Sequence, residues 1–178
     1  MRRPRRWASE ADFQRLLSAL HPRQRPLRAM LLLMYDSGLR ISEAVACRWS
    51  DIRPRLHRVD VPRGKGGKPR STWATAPLLQ MRRAHPYPKP FPIYQKSVRT
   101  LQREMRRLCR RARVTYTNPH GLRHSFASNA QWAEVAGAET QAAMGHTNPK
   151  VTAIYTHPHR DIHRRAAARI ELALGRSK

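Results

Sequence analysis

Apolar residues recur at helical spacing along most of the chain and alternate in one short stretch. In "SEADFQRLLSAL", Phe13, Leu16, Leu17 and Leu20 lie three and four residues apart, and Ser9 followed by Asp12 gives a capping-box-like start, so the pattern predicts a first amphipathic helix. "PLRAMLLLMYDSGLR" is apolar almost all round over residues 27–35. It is too short to cross a membrane and predicts a central core helix that ends near Gly38. A short helix over about 42–48 follows. Residues 49–76 change texture: "LHRVDV" alternates, "PRGKGGKP" is turn chemistry and "RSTWATA" suits a strand, which together predict a β-hairpin with a glycine-rich, lysine-bearing tip.

Four prolines in "HPYPKPFP", residues 85–92, predict an extended connector. Residues 97–113 then predict a helix with Val98, Leu101, Met105 and Leu108 on one side and arginines elsewhere. "TNP" occurs at 117–119 and again at 147–149, where Asn can cap a helix and Pro can open it, so helices are expected from about His120 and from about Lys150. Between them "EVAGAETQAAMGH" predicts a short helix. "HRDIHRRAAARIELALG" predicts a terminal one with Ile162, Ala166, Ile170 and Leu174 along one side. The fold class is therefore α+β and mainly α-helical, with a small antiparallel β-sheet or hairpin. At 178 residues one domain is expected over 1–178, with a basic arm at about 1–8 and a C-terminal helix at about 159–175.

Charge adds a partner to this picture. There are 36 Lys and Arg against 11 Asp and Glu, a formal net charge of +25, and nearly all of the excess is arginine. Such a balance points to a polyanion, with nucleic acid the specific form and a solvated basic surface the alternative. Cys47 and Cys109 stand alone in helical stretches and suit buried, reduced thiols. "MRRPRRW" lacks the apolar core of a secretory signal, and no apolar run has membrane-spanning length, so the expected location is the cytoplasm, on the nucleoid.

Three stretches carry candidate chemistry. In "NPHGLRH" a helix beginning at Asn118 presents unpaired N–H groups and its positive dipole end, with His120 and Arg123 sharing that face. This describes an anion site, though a capped surface helix with ordinary basic residues reads the same way. A metal at His120 and His124 fits less well, because the glutamate of H-E-x-x-H is missing. In "DSGLRISEA" Arg40 follows a glycine turn and Glu43, three residues on, is its nearest orienter; a plain i, i+3 ion pair is the alternative. Lys65 in "RGKGGKPR" is flanked by glycines, which allow close approach to another backbone or simply make a flexible turn.

Taken in order, "SGLRISEAVACRWSDI", "GKGGKPR", "HGLRH" and "MGHTNPKVTAIYTH" resemble the catalytic domain of the tyrosine recombinases, the phage integrase family. The resemblance covers nearly the whole chain. It implies a tyrosine-recombinase catalytic core, with the family's first arginine at Arg40, its hairpin lysine at Lys65, the H-x-x-R pair at His120 and Arg123, the next histidine at His146 and the nucleophile at Tyr155. Glu43 supports Arg40.

The implied activity is site-specific cleavage and rejoining of double-stranded DNA through a 3′-phosphotyrosyl intermediate, with no metal and no cofactor, in a cyclic homo-oligomer, a tetramer, on the DNA. A type IB topoisomerase-like nicking and closing enzyme, or a catalytically idle DNA-binding regulator with the same fold, are the other readings. Residues 159–178 either pack on a neighbouring protomer or cover their own core. Two features depart from the family's usual pattern. Its separate N-terminal core-binding domain is expected to be absent, making the chain a compact member or a fragment, and Met144 replaces the commoner leucine before Gly145, a volume-conserving exchange.

Overall fold

A computed structural model describes residues 8–85, 91–145 and 162–176, the side chains of Lys65 and Ile162 excepted. The first helix, α1 (Glu10–Ser18), is capped by the Ser9 hydroxyl, which accepts the Asp12 N–H, and it buries Phe13, Leu16 and Leu17. The second, α2 (Arg25–Tyr35), has every residue from Ala29 to Tyr35 buried. This is the central core helix the apolar run predicts. The short α3 (Ile41–Ala46) ends about two residues before the expected 42–48 boundary, because Cys47 turns to extended backbone and Arg48 then bridges to Pro92.

The alternating stretch becomes three antiparallel strands rather than a lone hairpin: β1 (Ile52–Arg53), β2 (Arg58–Val61) and β3 (Arg70–Trp73), in the order β1-β2-β3. Val59 pairs with both Ile52 and Thr72, so the hairpin is present and a two-residue strand extends it. Next comes α4 (Ala76–Arg83), with Pro77 in its first turn and Leu78 and Leu79 buried. It has no counterpart in the sequence reading, since its eight residues offer only one full turn of apolar spacing.

The arginine-rich α5 (Val98–Arg111) buries Leu101, Met105, Leu108 and Cys109, and its exposed side is basic. Then follow α6 (Pro119–Trp132), α7 (Gly137–Met144) and, at the C-terminal end, α8 (Ile162–Ala173). The helix expected from Lys150, the basic arm at 1–7 and the proline-rich 86–90 lie outside the described residues. No helix among the described residues is long and apolar enough to cross a membrane.

Two apolar clusters form the core. The larger gathers α1, α2, α5 and the inner face of the sheet. The smaller joins Trp73 of β3 and Phe126 of α6 to Ala143 and Met144 of α7 and to Ala166, Ala167 and Ile170 of α8. Residues 162–176 thus cover their own core. Beyond α8, Arg176 pairs with both oxygens of buried Asp36 at 2.9 and 3.0 Å and with Glu10 at 2.7 and 2.8 Å. The sheet is fastened to the end of α2 by Thr72, whose hydroxyl donates to the Ser37 carbonyl at 2.9 Å, and by Thr75, whose hydroxyl donates to Asp36 at 2.7 Å. That fixes the Ser37–Arg40 turn against β3, where the basic residues converge.

Candidate functional site

Gly38 begins the site. At φ +64 it occupies the left-handed region, and an added Cβ would stand 2.6 Å from the Phe126 ring, so the turn between α2 and α3 lies directly on α6. Two residues later Arg40 caps α3. Glu43 accepts the Arg40 backbone N–H at 2.8 Å and its Nη1 at 2.9 Å, so the i, i+3 pair expected from sequence is formed. The Arg40 side chain is 28 % exposed and that of Glu43 only 5 %.

Glu43 also holds a second arginine. Arg70, the first residue of β3, donates Nη2 to Glu43 Oε2 at 2.6 Å and Nη1 to the Ala143 carbonyl of α7 at 2.7 Å. The sequence reading did not single it out. Nothing in composition marks one arginine among so many, and the only local signal is its place at the start of a strand that otherwise reads as core.

Arg123 is turned into the protein, not outward beside His120 as the shared-face reading expected. It donates Nη1 to the Gly38 carbonyl and Nη2 to the Met144 carbonyl, the latter at 2.5 Å, whereas His120 is exposed. The reason is the acceptors: the Gly38 turn and the C-terminal end of α7 both leave carbonyls without helical partners, which a guanidinium can satisfy. Successive carbonyls at that helix end, Ala143 and Met144, therefore each take an arginine from a different element.

Burial pushes the Arg123 pKa down to about 10, with the Arg40 and Arg70 charges adding to the fall and Glu43 opposing it. Arg70 is lowered for the same first reason; Arg40 repels it and Glu43 attracts it. Three guanidiniums against one carboxylate leave two positive charges in excess in a largely buried cluster, which favours an anion at its open side, where Arg40 reaches solvent.

At the start of α6 the Asn118 side chain accepts the Gly121 N–H at 2.8 Å, the cap that the TNP motif predicts. His120 and His124 meet edge to face with Nε2 atoms 3.0 Å apart, within hydrogen-bond distance of one another. Lys65 lies in the tip between β2 and β3, in a short turn Lys65–Gly67 that Gly66 and Gly67 close with φ of +70 and +76. His146 and Tyr155 lie outside the described residues. In sequence His146 directly follows Gly145, which ends α7 at φ +65.

The sequence profile of the phage integrase family matches residues 6–161. The chain belongs to the phage integrase family. Tyrosine recombinase XerC of Xanthomonas campestris pv. campestris is 35 % identical over a match covering 73 % of this chain and 44 % of that protein, and XerC of Haemophilus influenzae is 34 % identical, covering 73 % and 48 %. The chain spans less than half the length of these relatives.

Among solved structures, the integrase from mycobacterium phage Brujita superposes with a TM-score of 0.76 over 100 % of this chain and 60 % of that one, at 22 % identity. The XerH site-specific recombinase, in a post-cleavage complex with its palindromic difH substrate, gives 0.64 over 92 % and 52 %, at 19 % identity. Identities this low speak for the fold alone. That fold is the phage integrase family's: helices around a small antiparallel sheet, the α+β class expected from the sequence.

Proposed function

We propose that this chain carries the catalytic apparatus of a site-specific DNA recombinase, with Arg40, Lys65, His120, Arg123, His146 and Tyr155 as its reacting set and Glu43 in support. The observation that carries the reading is the excess of guanidinium charge around Glu43, on elements that also bring in the Lys65 hairpin and the His120 helix. A phosphodiester gains negative charge on its non-bridging oxygens as a fifth oxygen approaches phosphorus, and preorganised guanidiniums stabilise that charge without reorganising. Arg40 and Arg123 supply this clamp. Their partners, Glu43 for one and the two carbonyls for the other, fix them before DNA arrives.

Tyr155 attacks phosphorus through its phenolic oxygen. The new Oη–P bond replaces the P–O5′ bond, the phenolic proton leaves toward the His120–His124 pair, and the 5′-oxygen takes a proton from the Lys65 ammonium. A lysine suits the last step because its ammonium gives up a proton more readily than an ordinary guanidinium does, while the arginines of the site are held by their partners. His146 donates a hydrogen bond to the phosphate. One phosphoester bond has been exchanged for another, so a 5′-hydroxyl reseals the strand without ATP or a metal.

The partner on this reading is double-stranded DNA, held mostly through phosphates, in a homo-oligomeric, tetrameric assembly on the nucleoid. A net charge of +25 supports a binding constant that falls steeply with salt. The test is incubation with a duplex nicked beside the cleavage point, so that the short product diffuses away. A covalent protein–DNA band is expected; a DNA shift with no covalent band would reduce the chain to a binding protein.

A further inference from the structure

Among the buried charges of this site, Arg70 belongs to no step of the reaction just described, yet it begins the strand after the Lys65 tip and touches both Glu43 and the end of α7. Its guanidinium spans Glu43 Oε2 at 2.6 Å and the Ala143 carbonyl at 2.7 Å. Its side chain is 8 % exposed, and both Nη groups are engaged by acceptors of the protein. An added Cβ on Gly145 would lie 2.7 Å from both Cδ and Nε of Arg70, and 3.7 Å from Nη1 of Arg40, so the stem of Arg70 runs directly against the backbone that ends α7.

These contacts join three pieces of chain at one point. Arg70 is five residues after Lys65 and begins the strand that leaves the hairpin tip. Glu43 is shared with Arg40, and Gly145 immediately precedes His146 on the path to Tyr155. Two acceptors on different elements need two N–H groups of fixed and divergent direction, which a guanidinium fork has and an ammonium lacks. The Ala143 carbonyl is one of the unpaired acceptors at a helix C-terminus, where the dipole also favours a cation.

We propose that Arg70 is a positioning residue for strand cleavage, holding the Lys65 hairpin, the Arg40–Glu43 pair and the C-terminal end of α7 in one register without touching DNA. This rests on the reading of the site as a strand-cleaving one. Without Arg70, Glu43 keeps only Arg40 and is free to turn, the hairpin loses its tie to Glu43, and the end of α7 loses its neighbour. The Arg40–Glu43 pair, the hairpin and the end of α7 then no longer share one register, although each remains present. Misplacement of about 1 Å in such a set slows chemistry by about 100-fold.

The experiment uses the full chain and a nicked suicide duplex, and reads two quantities: covalent adduct formation in a single turnover at saturating DNA, and DNA affinity by mobility shift. The proteins are wild type, Arg70→Met, Arg70→Lys, Glu43→Gln, and Arg70→Met with Glu43→Gln. Arg70→Met should form adduct about 100-fold more slowly at saturation, and Arg70→Lys about 10-fold more slowly, with affinity kept within about 3-fold. Because Arg70 acts through Glu43, the double variant should be no more than about 3-fold slower than the worse single one.

Cleavage by Arg70→Met within about 3-fold of wild type, or single defects that multiply in the double variant, would overturn the proposal. If Arg70→Met shows no cooperative unfolding, Arg70→Lys is held to the 10-fold criterion and to the same non-additivity with Glu43→Gln. If wild type itself gives no adduct, the strand-cleavage reading fails, and the register is judged by melting alone. There the Arg70 and Glu43 changes must again be non-additive, and additive losses would remove Arg70 from the pairing as well.

Discussion

Replacing Glu43 by Gln preserves shape and removes one charge at the point where two arginines meet. The carboxylate accepts three hydrogen bonds: from the Arg40 N–H at 2.8 Å, Arg40 Nη1 at 2.9 Å and Arg70 Nη2 at 2.6 Å. An amide keeps one accepting oxygen and turns an NH2 toward a guanidinium donor, so at least one contact becomes donor against donor. Removing one partner of a buried pair costs about 3–5 kcal/mol. The Arg40 side is partly solvated and counts for less, while the Arg70 side is buried on both partners. The working figure is therefore about 3 kcal/mol, which for a chain of this size lowers the melting temperature by about 6–12 °C. The assay is thermal unfolding followed by circular dichroism at low and at high salt. A buried pair is screened little, so the drop should persist at high salt. The charge excess of the cluster also rises in the variant, so inorganic sulfate should recover more stability there than in wild type. A melting temperature within about 2 °C of wild type, or no added benefit from sulfate, would refute the assignment of Glu43 as the shared anchor.

Gly38→Ala places a methyl 2.6–2.8 Å from three atoms of the Phe126 ring at a left-handed φ; a loss of about 2–4 kcal/mol in chemical denaturation and weaker adduct formation are expected, since the Gly38 carbonyl that receives Arg123 must shift. His163 of α8 bonds the Ser71 hydroxyl at 3.1 Å, and burial, helped by the Arg58 charge and opposed by Asp60, holds its pKa down at about 4. The unfolded chain, with a histidine near 6.5, binds the extra proton first, so stability present above about pH 6.5 is lost as pH falls toward 4. In His163→Gln, urea midpoints should lose most of that slope between pH 7 and 4.5. Lys65→Ala should slow cleavage of an ordinary duplex strongly but much less on one whose 5′ leaving atom is sulfur, which needs no proton; single-turnover rates on the two substrates decide it.

Hydrophobic patterning made most of the helices legible, because α1 and α5 each bury one stripe, α2 is a buried apolar run, and α1, α2, α5 and α6 begin at a side-chain cap or a proline. It failed where elements are short. The eight residues of α4 and the two of β1 take their conformation from packing, not from a repeat of their own. Within the site, Arg40 with Glu43 was readable as a local pair, and Asn118 as a cap. The inward turn of Arg123 was not, since it depends on carbonyls of Gly38 and Met144 that lie 85 and 21 residues away. Arg70 was hidden for the same reason: its acceptors are 27 and 73 residues distant, and no local spacing encodes them.

The most direct measurement is to find which atom the DNA is joined to. Adduct formed on the nicked duplex is digested with trypsin and nuclease and read by mass spectrometry. Cleavage after Lys150 and Arg160 releases the peptide 151–160, in which Tyr155 is the only tyrosine. Attack by Tyr155 leaves a nucleotide 3′-phosphate on that peptide at Tyr155 and a free 5′-hydroxyl on the released strand, and Tyr155→Phe gives no adduct. A phosphoryl link to any other residue, a 5′-linked nucleotide, or adduct surviving in the Tyr155→Phe protein would contradict that attack.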